Sequence, residues 1–116
     1  MQDFLQHELH VMLENLDLTR RCALLVESCG KILQRYNDLS LQKNGRLIEG
    51  YSEFIQKQAD KLLMYIQLAQ LENFCSEDLY QQATQAQAEA REAYLQALAI
   101  YLETMQTRID ALSSHL

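Results

Sequence analysis

Apolar residues recur along this chain every three or four positions, the period that gives a helix one dry face. The densest stretch is Ala93–Leu102, AYLQALAIYL, in which Gln96 is the one clearly polar residue. Over nearly three turns of helix, every side of that cylinder carries apolar groups. Such a helix is covered on more than one side, inside a bundle or under a partner.

Three helices are predicted around that stretch. The first runs from about Asp3 to Tyr36, where Leu18, Cys22, Leu25, Cys29, Ile32 and Tyr36 alternate at spacings of four and three, the seam of a coiled-coil-like contact. Val26 and Leu33 widen the seam, and Phe4 or Leu5, Leu9, Met12 or Leu13, and Leu16 carry it upstream. Asn15, Asp17 and Thr19 fall where the register shifts. A cap at Asp17 or Thr19 would break the helix near Asn15–Thr19 and make four helices of three. Asn44-Gly45 reads as the turn before a second helix, about Leu47–Glu72, whose inner line is Ile48, Tyr51, Ile55, Ala59, Leu62, Ile66 and Ala69. Ser76 suits an N-cap, with Glu77 and Asp78 at the positive end of a third helix that continues to about Leu112.

Short connections make neighbouring helices antiparallel. Folding about residue 75 sets bulky Leu62–Leu71 against alanine-rich Leu79–Ala88, and Ala93–Leu102 against Ile48–Lys57. Folding the first helix about residue 42 adds Glu27–Tyr36 to the second layer. Large side chains then meet small ones, as interdigitated packing requires.

Composition agrees with this pattern. Proline is absent, glycine occurs only at 30, 45 and 50, and Val11 and Val26 are the only valines. The expected fold is therefore all-α, an antiparallel three-helix bundle forming one domain over residues 1–116. Net charge is −6, and the acids concentrate after Ser76, which disfavours a nucleic-acid partner. The amino terminus has neither the basic nor the apolar region of a secretory signal, and no apolar run approaches the ~20 residues that span a bilayer. Three cysteines are an odd number, and Cys22 and Cys29 lie about 10 Å apart along one helix, too far to bridge. A reducing, cytoplasmic setting is expected, with no membrane contact.

Candidate chemistry is sparse. His7, His10 and Glu14 share a helical face and are the one set with metal-ligand character, although no Glu-x-x-His occurs to complete a bundle metal site. Cys22 and Cys29 occupy seam positions, Cys75 falls in a turn open to added reagents, and His115 has no partner in sequence. No enzyme activity and no cofactor are expected. Tyrosine usage carries more: Tyr80, Tyr94 and Tyr101 repeat at multiples of seven on the third helix, as Tyr51 and Tyr65 do on the second. Tyrosine favours boundaries where the ring is dry and the hydroxyl wet.

Two segments, Leu62–Leu71 and Ala93–Leu102, thus carry more apolar surface than three helices hide. The expectation is a non-enzymatic protein-interaction module, an adaptor, chaperone-like escort or inhibitor. It would bind another protein, a second copy of itself, or both, through Tyr65, Leu68, Tyr94, Leu95, Leu98, Tyr101 and Leu102. An acidic third helix would favour a basic partner. The alternative is a ligand- or metal-sensing bundle built on the tyrosine-lined spaces or on His7, His10 and Glu14.

Overall fold

Two polar residues, Asp38 and Ser76, set the starts of the second and third helices. The computed structural model describes residues 2–114, with side chains from residue 5 onward, so Phe4 as a seam residue and His115 lie outside the described side chains. Its elements are α1 (Gln2–Gln34), α2 (Leu39–Glu72) and α3 (Glu77–Ser113), a three-helix bundle 65 × 18 × 17 Å in extent. Asp38 is extended, and its carboxylate accepts from the Leu41 amide at 3.1 Å. The Ser76 hydroxyl does the same for the Leu79 amide at 3.0 Å. Each satisfies a donor that a helix start otherwise leaves orphaned. Asn73 ends α2 in the left-handed region (φ 52°), a conformation asparagine tolerates.

Two boundaries differ from expectation. α1 is unbroken: the Thr19 hydroxyl donates to the Asn15 carbonyl one turn back at 2.6 Å, so it is satisfied inside the helix and buried there. α2 starts at Leu39, not Leu47, and Asn44-Gly45 is helix interior rather than a turn. Both residues serve packing. Gly45 lies against Gly30 of α1 so closely that a Cβ on Gly30 would sit 2.7 Å from the Gly45 carbonyl oxygen, and one on Gly45 2.6 Å from that of Gly30. The Asn44 amide donates to the Thr104 hydroxyl of α3 at 3.1 Å.

The crossing at Gly30 and Gly45 folds the first hairpin about residues 37–38, not 42. Ala23 and Val26, rather than Glu27–Tyr36 alone, therefore share a layer with Ile48, Ile55, Ala93 and Ala97. The second hairpin keeps the expected register, with Leu62, Ile66 and Ala69 against Ala83 and Ala86, joined by Met12 and Leu16.

The inner line of α2 is as expected, except that Tyr51 is only half-buried and Ser52 and Gln58 join the buried set. On α1 the buried line is Met12, Leu16, Thr19, Ala23, Val26, Gly30 and Leu33: Met12, Leu16, Val26 and Leu33 are as expected, but after Leu16 the line runs one residue beyond the Leu18–Tyr36 seam. Of that seam only Cys29 is fully buried; Leu18, Leu25 and Ile32 are exposed. The reason is steric. α2 brings bulk (Ile48, Ile55, Leu62, Ile66), so α3 turns Ala83, Ala86, Ala90, Ala93 and Ala97 inward, and α1 sets Thr19, Ala23 and Gly30 among its buried Met12, Leu16, Val26 and Leu33.

Candidate functional site

Beyond the core, α1 and α3 also carry large aliphatic side chains on their outer faces. In an up-down-up bundle α1 and α3 run parallel and adjacent. Leu18 (53% exposed), Leu25 (48%) and Ile32 (37%) form a heptad-spaced row on α1. Leu95 (55%), Leu102 (65%) and Ile109 (51%) form its counterpart on α3. Positions seven apart keep one side of a helix, so each row is a continuous ridge. Tyr94, Leu98, Tyr101 and Met105 lie between the α3 row and the core, half-buried and packed against the same core cluster as Cys22 and Tyr36 of α1. Burial, with Cys29 and Tyr36 nearby, pushes the Tyr101 phenol up.

One recess indents the valley between the ridges. Leu18, Cys22, Ala90, Arg91, Tyr94 and Leu95 help line a recess of about 410 Å³. A smaller one of about 200 Å³ is lined by Ile32, Arg35 and Tyr36 of α1 alone. From Leu18 to Ile32 is two heptads, roughly 21 Å along the helix. Arg91 lines the first recess and Arg35 the second, and the Arg108 guanidinium lies over the Tyr36 ring, 4.3 Å from its centre, while also lining the α2–α3 groove that holds Asp38 and Glu103. None of these three is in an ion pair among the described residues, whereas Arg21 is held by Asp17 at 2.9 Å. The acids of α3 point elsewhere. Glu89 and Glu92 line a groove on the α2 side, and Glu103 lines another near the start of α2. The acidity of α3 is therefore not the character of this face.

The seven expected contact residues divide into two groups. Tyr94, Leu95, Leu98, Tyr101 and Leu102 come together on the α1–α3 face. Tyr65 and Leu68 do not join them. Tyr65 continues the line of Tyr51 and Gln58, and the Gln58 amide donates to Glu89 of α3 at 3.2 Å, so that line faces the α2–α3 boundary. Leu68 continues the exposed line of Leu47 and Phe54 on the same side. Leu47, Tyr51 and Phe54 border the Glu89–Glu92 groove, about 450 Å³ and more acidic than the α1–α3 valley. The tyrosines are thus distributed over two boundaries and form no single aromatic pocket.

His10 Nε2 and Glu14 Oε1 pair at 2.9 Å on an open surface, and His7 is exposed. Among the described residues no group of three His, Cys, Asp or Glu side chains is close enough to hold a metal. Among the same residues no helix is long and apolar enough to cross a membrane. Cys75 is not the open thiol expected of a turn. Phe74 takes the outward position, and Cys75 is buried at the end of the bundle with its pKa pushed up to about 11 by burial and by the nearby Glu8 carboxyl. Burial likewise raises Cys22 and Cys29, so all three thiols are disfavoured as thiolate nucleophiles.

No protein-family profile, curated protein or solved structure matches this chain.

Proposed function

We propose that this chain is a non-enzymatic protein-interaction module that receives another protein on its α1–α3 face. One observation carries the reading: two parallel, heptad-spaced rows of large aliphatic side chains stand in solvent on neighbouring helices, outside a core that α1 and α3 already complete with Met12, Leu16, Val26 and Leu33 on one and a line of alanines on the other. Scattered exposed leucines are ordinary on protein surfaces, but aligned and adjacent rows make a contiguous apolar strip of the kind that marks a protein contact. Tyrosines at the strip's inner edge and Arg91 in its recess add residue types enriched at interfaces. Three thiols, none of them in a disulfide, support a reducing compartment as its setting.

The ligand- or metal-sensing alternative has less support, because the tyrosines are divided between two boundaries and His7, His10 and Glu14 lie on an open helix surface. Position-resolved photo-crosslinking in the source cell tests the proposal. A crosslinker replacing Leu102 is expected to trap a discrete protein species, and one replacing exposed Lys57 on α2 is expected not to. Equal yields at both positions, or none at 102, would leave the α1–α3 face without a role in binding.

A further inference from the structure

We infer that the recess between α2 and α3 at Gly50 is a binding site for a small organic cation, an ammonium group carried on an apolar body. It lies on a different boundary from the α1–α3 strip and does not depend on that strip having a partner. The residues of α2 that line it, Leu47, Gly50, Tyr51 and Phe54, stand at i, i+3, i+4 and i+7. Those of α3, Glu89, Glu92, Ala93 and Gln96, repeat the same spacing. Four positions so spaced enclose the hole that a knob from a facing helix fills in a coiled coil. Here two such holes adjoin across the α2–α3 boundary, and neither helix fills them. Gly50 has nothing within 4 Å of the place of a Cβ, and Ala93 offers only a methyl. The result is a space of about 450 Å³, in the range of small-molecule sites. Leu47 divides it from the next recess toward the start of α2, and the Gln58–Glu89 hydrogen bond crosses between the helices at the other end. The recess is therefore bounded along the helices, which suits a compact ligand rather than a docked helix.

The charge argues for a cation. Glu89 is half-buried, Glu92 lies one turn further along α3, and neither is in an ion pair among the described residues. Glu89 is held by neutral donors only, the Gln58 amide at 3.2 Å and the Gln85 amide at 3.1 Å. Gln58 is itself only 3% exposed, and its Oε1 is a buried acceptor with no donor among the described residues. Acceptors thus exceed donors at this end of the recess, where an ammonium brings three N–H groups. A carboxylate accepts its strongest hydrogen bonds from a cationic donor, and the rings of Tyr51 and Phe54 attract a cation as well. Leu47 and Phe54, both exposed at the recess, take the apolar body of the ligand.

Three probes of one shape separate charge from apolar burial: 4-phenylbutylammonium, 4-phenylbutanol and 4-phenylbutyrate. Amide chemical shifts of the isotope-labelled full chain locate where each binds. The ammonium probe is expected to shift the Gly50, Phe54 and Ala93 amides with a Kd on the order of a millimolar, roughly tenfold or more tighter than the butyrate probe. Gly50→Leu fills the recess without meeting a neighbour at its Cβ, and is expected to lose the ammonium probe while its urea midpoint is kept or raised. Glu89→Gln/Glu92→Gln is expected to lose the preference for the ammonium. Asp60→Asn/Glu72→Gln makes the same change of net charge at exposed positions outside the recess, and is expected to keep it. Equal binding of the three probes, no shift with any of them, or shifts centred on other residues overturns the inference. So does binding retained in a folded Gly50→Leu. Preference lost equally in Asp60→Asn/Glu72→Gln overturns it by assigning the selectivity to the net charge of −6. A lysine- and leucine-rich helical peptide that shifts these amides where no small probe does overturns it in favour of a protein partner.

Discussion

Phe74 and Cys75 are neighbours in the second connection, and the chain turns the larger of them outward. Once Asn73 takes a left-handed conformation and Ser76 commits to capping α3, the residue between Phe74 and the cap faces the end of the bundle. This sets the chemistry of the thiol. The Cys75 pKa is about 11 in the folded chain against an ordinary value of 9.0, so the folded state holds the proton more tightly than the unfolded one. The resulting stability is fully present below pH 9 and is lost as pH rises toward 11, an effect on the order of 2 kcal/mol. Urea unfolding of wild type and Cys75→Ala is therefore expected to converge in that window as wild type weakens; parallel slopes against pH would contradict the assignment. Alkylation followed by mass spectrometry should modify half-buried Cys22 first and Cys75 last. At the same scale, Asp38→Ala removes an N-cap and is expected to cost about 1 kcal/mol in urea unfolding.

Among elements, the glycines of α1 and α2 separate two effects that sequence alone confounds. Gly30 and Gly45 meet backbone to backbone, so Gly30→Ala or Gly45→Ala must push the helices apart. Each is expected to lose a net 1–2 kcal/mol or about that, the overpacking penalty outweighing the better helix propensity of alanine. Gly50 has open space around the position of a Cβ, so Gly50→Ala should gain roughly 0.5–1 kcal/mol by propensity. Urea midpoints of the three variants check the signs. The inner line of α2 was legible in the sequence because that helix has a single bulky stripe on its core side. α1 was not, because two heptad stripes one residue apart compete there, and size favours Leu18–Leu25–Ile32 over the Thr19–Ala23–Val26 line that is buried. What decides between them is the bulk of α2 opposite, which is tertiary information. Asn44-Gly45 misled for a related reason: residues that favour turns also permit close helix approach and interhelical hydrogen bonds. The cue for the true start of α2 was Asp38, three residues before the Leu41 amide it accepts from.

At the scale of the whole molecule, alanines of α3 and a mixed line of α1 enclose the large residues of α2, and further large residues of α1 and α3 form the outer strip. The α3 half of the strip was readable from Ala93–Leu102, which is apolar around most of its circumference. The α1 half was concealed by its resemblance to a core seam. The account holds that this strip does little for the bundle's own stability and is kept for another chain. Equilibrium urea unfolding of Leu25→Gln/Leu95→Gln/Leu102→Gln beside Ile55→Ala tests that most directly. Three substitutions at exposed positions are expected to cost together less than about 2 kcal/mol, and one truncation of the fully buried Ile55 about 2–5 kcal/mol. A triple variant less stable than Ile55→Ala would mean that the outer leucines belong to the bundle's own core, and would contradict the account.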